Sequence, residues 1–539
     1  MTSAASRVGE PPTMSELTIS ETDDPRVVEE AATSDYSLHV VPRTWRLGRL
    51  SLAMAWSSLL TAMFWIVFAA TVALAVGTRD ALIGIALSVV VYGAINGVLS
   101  VAAARTGLTV ALLSRSMFGY FGASLATAVF AAGAIYFAIF EASVLAIAFQ
   151  THFGGSLNTW YLVMAAVSVP IVLGGVRVWL DKLNAVLLPI FLGGMIAAVI
   201  WAVVEYDYDG SWATYQPTST AGIAGPGWWF AFTAYMGVWL SMFYTFDFAR
   251  LGKVEEARSN GFWVFGPPYW LFTLLVNGVV GIFLAQTIPT EGGVSEASVV
   301  IGIVQMMGWA GLLFVLATQI KINSANVYLA STNLQSFFSR ALRITLPRSV
   351  WTVAIGVVMY VVMRTDVFSF ILKALQYQGA VVVGWVAIAL VQLAYFRRGG
   401  RDETSFEFRP GRVPGMNPGG LVSWTVGSAI GVYLIADGEP TGVTWALPIT
   451  FVICGGLYAA ALAAARPSWF VTLRANDPRL EVADAWEQRI LCGDCDRSYV
   501  AIEMDRRPEP GHDPICSQCA TGYGFHRAAQ HEARGVASA

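Results

Sequence analysis

The chain has 539 residues, 56% of them hydrophobic and only 13% charged, with a formal net charge of -3. A soluble chain would carry about a quarter charged residues, so this composition specifies a polytopic membrane protein. The near-neutral balance shows no basic excess for nucleic acid. With five His, no glycine loop ahead of a basic residue and no nucleophile-base arrangement, nothing in the chain reads as an enzyme.

Residues 1–42 are rich in Ser, Thr, Glu and Asp, as in SELTISETDDPRVVEEAATSD, with no apolar run behind a basic start. This predicts a disordered cytoplasmic tail rather than a cleaved signal peptide. Residues 43–465 then carry twelve apolar segments, most near the roughly 20 residues a crossing needs. They lie near 50–76, 81–104, 122–149, 160–176, 183–204, 227–248, 262–287, 299–330, 350–363, 368–396, 421–436 and 442–465.

Loop charge sets the expected orientation, because Lys and Arg stay on the cytoplasmic side. Arg43, Arg46 and Arg49 precede the first segment, and Arg105 and Arg115 follow the second. Arg177 and Lys182 follow the fourth; Arg250, Lys253 and Arg258 follow the sixth. Arg340, Arg343 and Arg348 follow the eighth, and Arg397, Arg398, Arg401, Arg409 and Arg412 the tenth. The intervening loops hold Asp207, Asp209, Glu291, Glu296, Asp437 and Glu439, with Arg79 and Arg364 as isolated exceptions. Both termini are expected in the cytoplasm, at a plasma or inner membrane.

Two segments are interrupted. The first holds Trp56-Ser57-Ser58 and Thr61; the sixth holds Gly237 and Ser241 and ends in Asp247 and Arg250. Unwound backbone at membrane depth is tolerated where it lines a cavity, and breaks five segments apart fit two inverted five-helix repeats with two helices appended. Small residues at close helix packing are the competing explanation. The eighth segment carries Gln319, Lys321, Asn323, Ser324 and Asn326. An intramembrane Lys points to a solute pathway.

Three motifs resemble the nucleobase:cation symporter-1 family, which includes purine and cytosine permeases. Ala104-Arg105-Thr106-Gly107-Leu108-Thr109 followed by Leu113-Ser114-Arg115-Ser116-Met117-Phe118-Gly119 looks like its "(K/R)TGL…L(A/S)R…FG" signature. Asp247-Phe248-Ala249-Arg250-Leu251-Gly252 is similar to its "DF.R.(G)" motif, and Asn323-Ser324-Ala325-Asn326-Val327-Tyr328 to its Asn-rich eighth span. The resemblance covers about residues 43–465. It implies a leucine-transporter-like fold, alternating access, and a substrate held among spans 1, 3, 6 and 8.

A nucleobase needs an aromatic face and paired donors and acceptors. Phe137 and Glu141, four residues apart on one helix side, offer both. In the relatives these positions resemble a stacking Trp and, in some, an amide. Glu141 can accept from ring N-H groups, carry a proton, or pair with Lys321; a purely structural ion pair is the bland reading. Tyr136, Phe140, Trp65 and Trp239 read as packing or interfacial aromatics. Gly237, Val238 and Ser241 are expected to contribute at the sixth-span break. Asn323 and Asn326 read a base edge or bond helix to helix. Asp247 and Arg250 are expected as a gate or structural pair.

Sodium-coupled relatives place a hydroxyl where Lys321 stands. An ammonium has no lone pair to offer and repels sodium, yet it can gain and lose a proton. With Ser57 and Ser58 on the broken first span, Lys321 is therefore the expected coupling group for sodium-independent, proton-coupled transport.

Residues 466–539 are polar again. Cys492, Cys495, Cys516 and Cys519 form two CxxC knuckles within residues 491–526, spaced as in a zinc ribbon. A structural zinc site is expected, with a disulfide disfavoured in a reducing cytosol and His512 and His526 as bystanders. Cys454 reads as a small apolar residue. The tail could dock a protein partner, sense zinc or cap the transporter. The function expected from the whole is an importing permease for a nucleobase or related nitrogen heterocycle. The alternatives are another solute (allantoin, hydantoin, thiamine or an amino acid) or a receptor that signals through its tail.

Overall fold

The computed structural model describes residues 14–34, 39–173, 176–289, 297–399, 406–464 and 469–538, apart from 207, 209, 221, 343, 345, 366, 368, 369 and 510. Of the loop charges named above, Asp207, Asp209, Glu291, Glu296, Arg343 and Arg401 lie outside the described residues, as do the side chains of Arg177, Lys182 and Arg340.

Helices occupy every expected apolar segment. Among the described residues eight are long and apolar enough to cross a membrane, and Arg49–Leu60 with Met63–Val76, bent by 43°, makes a ninth. Leu157–Leu173 and Arg348–Met363 are shorter, and Gly227–Met236 with Ser241–Ala249 is a second interrupted pair. The expected segment at 299–330 divides: Ser298–Met307 ends at Gly308, whose φ of 55° turns the chain, and Trp309–Phe337 is the long helix that follows. Glycine adopts that backbone without the Cβ penalty, so the apolar run alone did not mark the boundary.

The signature loop is a set of stops and starts. Gly107, left-handed at φ 66°, closes Thr78–Thr106, and Thr109 Oγ1 accepts from Leu112 N at 3.1 Å to begin Val110–Phe153. That helix breaks at Gly119, where φ 83° and ψ 175° belong to a region used almost only by glycine. The break lets residues after the tenth segment pair with it: Tyr120 N donates to Pro414 O, Phe121 N to Gly415 O and Asn417 N to Phe118 O, each at 2.9 Å.

Both tails meet at this end of the bundle. Ile19–Ser20 pairs antiparallel with Arg489–Leu491, which pairs with Ser498–Val500. A shared end requires an even number of crossings. The disordered tail expected over 1–42 is corrected for residues 14–34, which hold this strand and the helix Pro25–Ser34. The acidic composition that suggested disorder is answered by basic partners on the C-terminal tail: Asp23 pairs with Arg489 at 2.7 Å, and Arg497 reaches Glu30. Val27, Val41, Ile490, Met504 and Ile515 pack into a small common core.

The C-terminal tail in turn grips the bundle. Buried Arg409 bridges Glu407 and Asp477, both at 2.7 Å, while Arg412 and Arg474 share Asp505 at 3.1 and 2.8 Å. Burial alone would raise the Glu407 carboxyl; the facing guanidiniums of Arg409 and Arg479 outweigh it and hold it down to about 2. Tyr120 Oη donates to Thr521 O at 2.6 Å, His526 stacks on Tyr120, and Arg43 and Arg46 lie over Trp486. His526 thus packs against the third segment rather than serving the cysteines.

A Cβ at Gly119 would stand 2.7 Å from Met416 Cα and 2.8 Å from Asn417 N. Gly119→Ala is therefore expected to cost about 1–3 kcal/mol from backbone strain alone, seen as a lower melting temperature of the detergent-purified protein. Unchanged melting would show that the pairing with 414–417 tolerates a side chain.

Candidate functional site

The helix Arg49–Leu60 ends at membrane depth and leaves carbonyls without intrahelical donors. Side chains reach four carbonyls of its last turns. Tyr269 Oη donates to Trp56 O at 3.3 Å, Thr61 Oγ1 to Ser58 O at 3.1 Å, Trp65 Nε1 to Leu59 O at 2.8 Å and Asn277 Nδ2 to Leu60 O at 3.0 Å. Lys321 sits against the same turn, 1% exposed, with Nζ donating to Ser57 Oγ at 3.2 Å; Ser57 Oγ donates onward to Met54 O at 2.7 Å. The negative end of a helix dipole favours a cation there. Ser58 donates instead to Ala55 O at 3.1 Å.

The second break runs from Gly237 to Leu240. Between the two breaks lies a cavity of about 20 Å³, closed by Leu59, Ala62 and Ile322. Phe64, Trp65 and Phe137 form its aromatic wall, and Glu141, Ser241 and Asn326 are among its lining residues beside Val238 and Tyr244. That volume fits one water, not a heterocycle. The Phe64 and Phe137 rings meet in a T-shaped contact with centroids 5.1 Å apart.

The polar atoms are poised rather than spent. Glu141 Oε2, Ser241 Oγ and Asn326 Nδ2 are buried with no hydrogen-bond partner among the described residues, while Asn326 Oδ1 accepts from Tyr244 Oη at 2.9 Å. An unmet buried polar group costs about 1–3 kcal/mol, and three residues carrying one line this cavity. Glu141 has no cation within ion-pair range among the described residues, and the pairing with Lys321 does not form. Lys321 turns toward Ser57; Gln319, from the same helix, is the side chain beside Glu141, at a geometry short of a hydrogen bond.

Of the residues expected to bind substrate, Phe137, Glu141, Val238, Ser241 and Asn326 line this cavity; Gly237 and Asn323 do not. Gly237 is pressed on the tenth segment, where an added Cβ would stand 2.8 Å from Leu375 O. Asn323 Nδ2 donates to Ser168 Oγ on Leu157–Leu173 at 3.2 Å. Trp65, read as packing, lines the cavity, whereas Tyr136, Phe140 and Trp239 do not. Tyr244 and Phe64 were missed: Tyr244 lies one helical turn beyond Ser241, a spacing that marks the shared face once the break is located. The expected gate residues act locally. Asp247 Oδ1 accepts from Val110 N at 2.7 Å, at the start of Val110–Phe153, and Arg250 Nε donates to the Asp247 carbonyl at 3.1 Å.

At the tail-bearing end, the sulfurs of Cys492, Cys495, Cys516 and Cys519 lie within 4.8 Å of one another. Cys516 N donates to Cys492 Sγ at 3.3 Å and Cys519 N to Cys516 Sγ at 3.4 Å. Tetrahedral thiolates at about 2.3 Å from a zinc ion stand about 3.8 Å apart, and Cys495 and Cys516 Sγ are 4.0 Å apart. The donor set fits a metal with all four positions filled.

Residues 41–457 match the family described as Permease for cytosine/purines, uracil, thiamine, allantoin. The chain belongs to this family. Its fold is that of Mhp1, a nucleobase-cation-symport-1 family transporter. The closed conformation with bromovinylhydantoin bound is 16% identical, with TM-score 0.58, covering 80% of this chain and 97% of Mhp1. The inward-facing conformation of Mhp1 is 15% identical, with TM-score 0.62, covering 80% and 95%. Comparison with curated proteins gives no match. The protein is thus a multi-pass membrane transporter of leucine-transporter type, and its family and structural neighbours are transporters rather than enzymes.

Because the Asp247 carboxylate caps a helix start, Asp247→Ala is expected to lose about 0.5–2 kcal/mol of stability, with Asp247→Asn retaining most of it in thermal melts. Equal melting of all three proteins would remove the capping role.

Proposed function

We propose that this transporter is a twelve-span permease that imports a nucleobase or related small nitrogen heterocycle by alternating access. Both tails lie in the cytoplasm, and coupling is to protons without sodium. The observation that supports this reading is that Glu141, Ser241 and Asn326, each with a buried side-chain atom unpartnered among the described residues, line one cavity together with Phe137, Phe64 and Trp65. Phe137 offers the stacking face once Phe64 swings aside. Glu141 accepts from ring N-H groups and, when protonated, donates; Asn326, its oxygen held by Tyr244, gives an N-H to a ring acceptor. Movement of the first and sixth segments about their breaks supplies the volume the closed cavity lacks.

Lys321 supports the coupling proposal. Its ammonium occupies the junction of the first and eighth segments, where a sodium ion would need oxygen ligands, and it takes Ser57 as its acceptor. A related reading, a five-membered ureide as solute, is favoured by the likeness to a transporter with bromovinylhydantoin bound.

The tail cysteines hold a structural zinc ion, supported by their spacing and the N-H groups aimed at two of the sulfurs. The cap role is favoured over a signalling one, because the tail is already engaged with Tyr120 and residues 407–413.

In liposomes, an inward proton gradient is expected to drive uptake of labelled hypoxanthine, uracil, cytosine or allantoin, with competition among them ranking the solute, and Glu141→Gln is expected to lose the gradient dependence. Uptake of none of them would overturn the solute class; uptake indifferent to the gradient would overturn the coupling. Elemental analysis is expected to find one zinc per chain, lost in Cys516→Ser together with the protection of residues 14–34 from protease. Full protection without metal would contradict the structural-zinc assignment.

A further inference from the structure

A groove of about 810 Å³ opens on the outer face of the bundle, between the second segment and the start of the seventh, and shares no residue with the solute cavity. On Thr78–Thr106 its wall is the stripe Val90, Ala94, Val98 and Val101, spaced to share one helix face and leading to Arg105 in the last turn. Gly93 and Gly97 let the neighbouring chain come close: a Cβ at Gly97 would stand 3.1 Å from Gly261 O, and one at Gly93 2.7 Å from Pro267 Cα. Contact of backbone on backbone leaves a crevice beside it. Val90 and Phe262, on its two sides, are 63% and 50% exposed, and at membrane depth such side chains face hydrocarbon.

Three guanidiniums line the same groove at one end. Gly261 lies against Gly97 and Pro267 against Gly93, so the chain from 258 to 267 runs antiparallel to Thr78–Thr106, which places Arg258 toward Arg105. Arg397 joins them from the last turn of Ile371–Arg398, just ahead of the 406–417 loop that the tails hold. This is the tail-bearing end, since Val41 N donates to Gly107 O, just past Arg105, at 3.3 Å. No acidic side chain is among the described lining residues. The preference of Arg for cytoplasmic loops accounts for the sign of the charge, but not for three distant parts of the chain meeting at one apolar groove. From Val89 to Arg105 the second segment rises about 24 Å at 1.5 Å per residue, more than the roughly 15 Å depth of one leaflet's hydrocarbon.

We propose that this groove binds one anionic phospholipid of the tail-side leaflet, with its phosphate held by Arg105, Arg258 and Arg397 and an acyl chain laid along the stripe from Val101 to Val90. The site goes beyond the solute and coupling readings above and depends on neither. Guanidiniums match phosphate oxygens with paired N-H donors, and basic pockets between spans on the cytoplasmic side suit anionic headgroups. The apolar wall selects a lipid over a soluble anion, because only a lipid fills both halves of the groove. Bound there, the lipid bridges the second, seventh and tenth segments, so its occupancy also stabilises the folded bundle.

The test uses the full chain, delipidated in detergent, with no solute. Native mass spectrometry and thermal melts follow the addition of phosphatidylglycerol, phosphatidylcholine or inorganic phosphate. Phosphatidylglycerol is expected to add one tightly held molecule per chain, to bind more tightly than phosphatidylcholine and to raise the melting temperature. Arg258→Gln combined with Arg397→Gln is expected to weaken phosphatidylglycerol binding about thirtyfold, equivalent to about 2 kcal/mol at about 1 kcal/mol per Arg, and phosphatidylcholine binding by less. Ala94→Trp, which fills the groove, is expected to lower the occupancy of both lipids. Where the double variant melts below the native chain, the two single variants, each losing about fivefold, take its place. Equal affinity for the two lipids, or a native preference in an Arg variant that melts normally, overturns the site. Stabilisation by inorganic phosphate equal to that by lipid overturns it in favour of a soluble anion, and a dimer that lipid does not dissociate overturns it in favour of a second copy of the chain. All of these results leave the solute and proton readings untouched.

Discussion

Interrupting a helix inside a membrane leaves carbonyls that no water is present to satisfy, and the whole site follows from how this chain meets that demand. At the end of Arg49–Leu60, Tyr269 and Asn277 reach in from the seventh segment, while Thr61 and Trp65 fold back from the break itself. The seventh segment changes its winding there: Pro267–Trp270 leads into a π-helical stretch, Leu271–Val276, after which Asn277 reaches Leu60. Lys321 adds a positive charge at the same turn through Ser57. Neutral donors satisfy the backbone, and the cation sits at the junction of the first and eighth segments.

The closed cavity and the open requirement belong together. Rings from two segments, Phe64 and Trp65 on the first and Phe137 on the third, line a space the size of one water, while buried polar atoms of Glu141, Ser241 and Asn326 remain unpartnered among the described residues. Unmet buried polar groups cost free energy, and a polar ligand that met them would offset that cost. At the far end, the paired tails bind the signature loop, the 406–417 loop and the residues leading into the first segment. They tie together helices that lie far apart in sequence.

Much of this was readable from residues alone. The apolar segments, the two breaks, the Phe137 and Glu141 pair at one helical turn, the Lys321 and Ser57 junction and the two CxxC knuckles each carry a local signal. What failed were questions of phase and partnership. Asn323 and Asn326 differ by three residues, yet one faces Ser168 and the other Tyr244, because the helix rotation that decides between them is set by neighbours far away in sequence. Asp23 and Glu30 looked like solvated acids because composition cannot reveal that Arg489 and Arg497, near the opposite end of the chain, wait for them. Gln319 was visible as a polar residue, but its place beside Glu141 depends on how the third and eighth segments are packed.

The central claim is that the Lys321 ammonium takes the place of a coupling sodium ion at the junction of the first and eighth segments. Its most direct measurement is the melting temperature of the purified protein titrated with sodium against choline at constant ionic strength, for the native chain and for Lys321→Ser. The account predicts a native protein indifferent to sodium and a variant that sodium stabilises, since a hydroxyl can ligate the ion that the ammonium repels. Sodium stabilisation of the native chain, lost rather than gained on replacing Lys321, would contradict it.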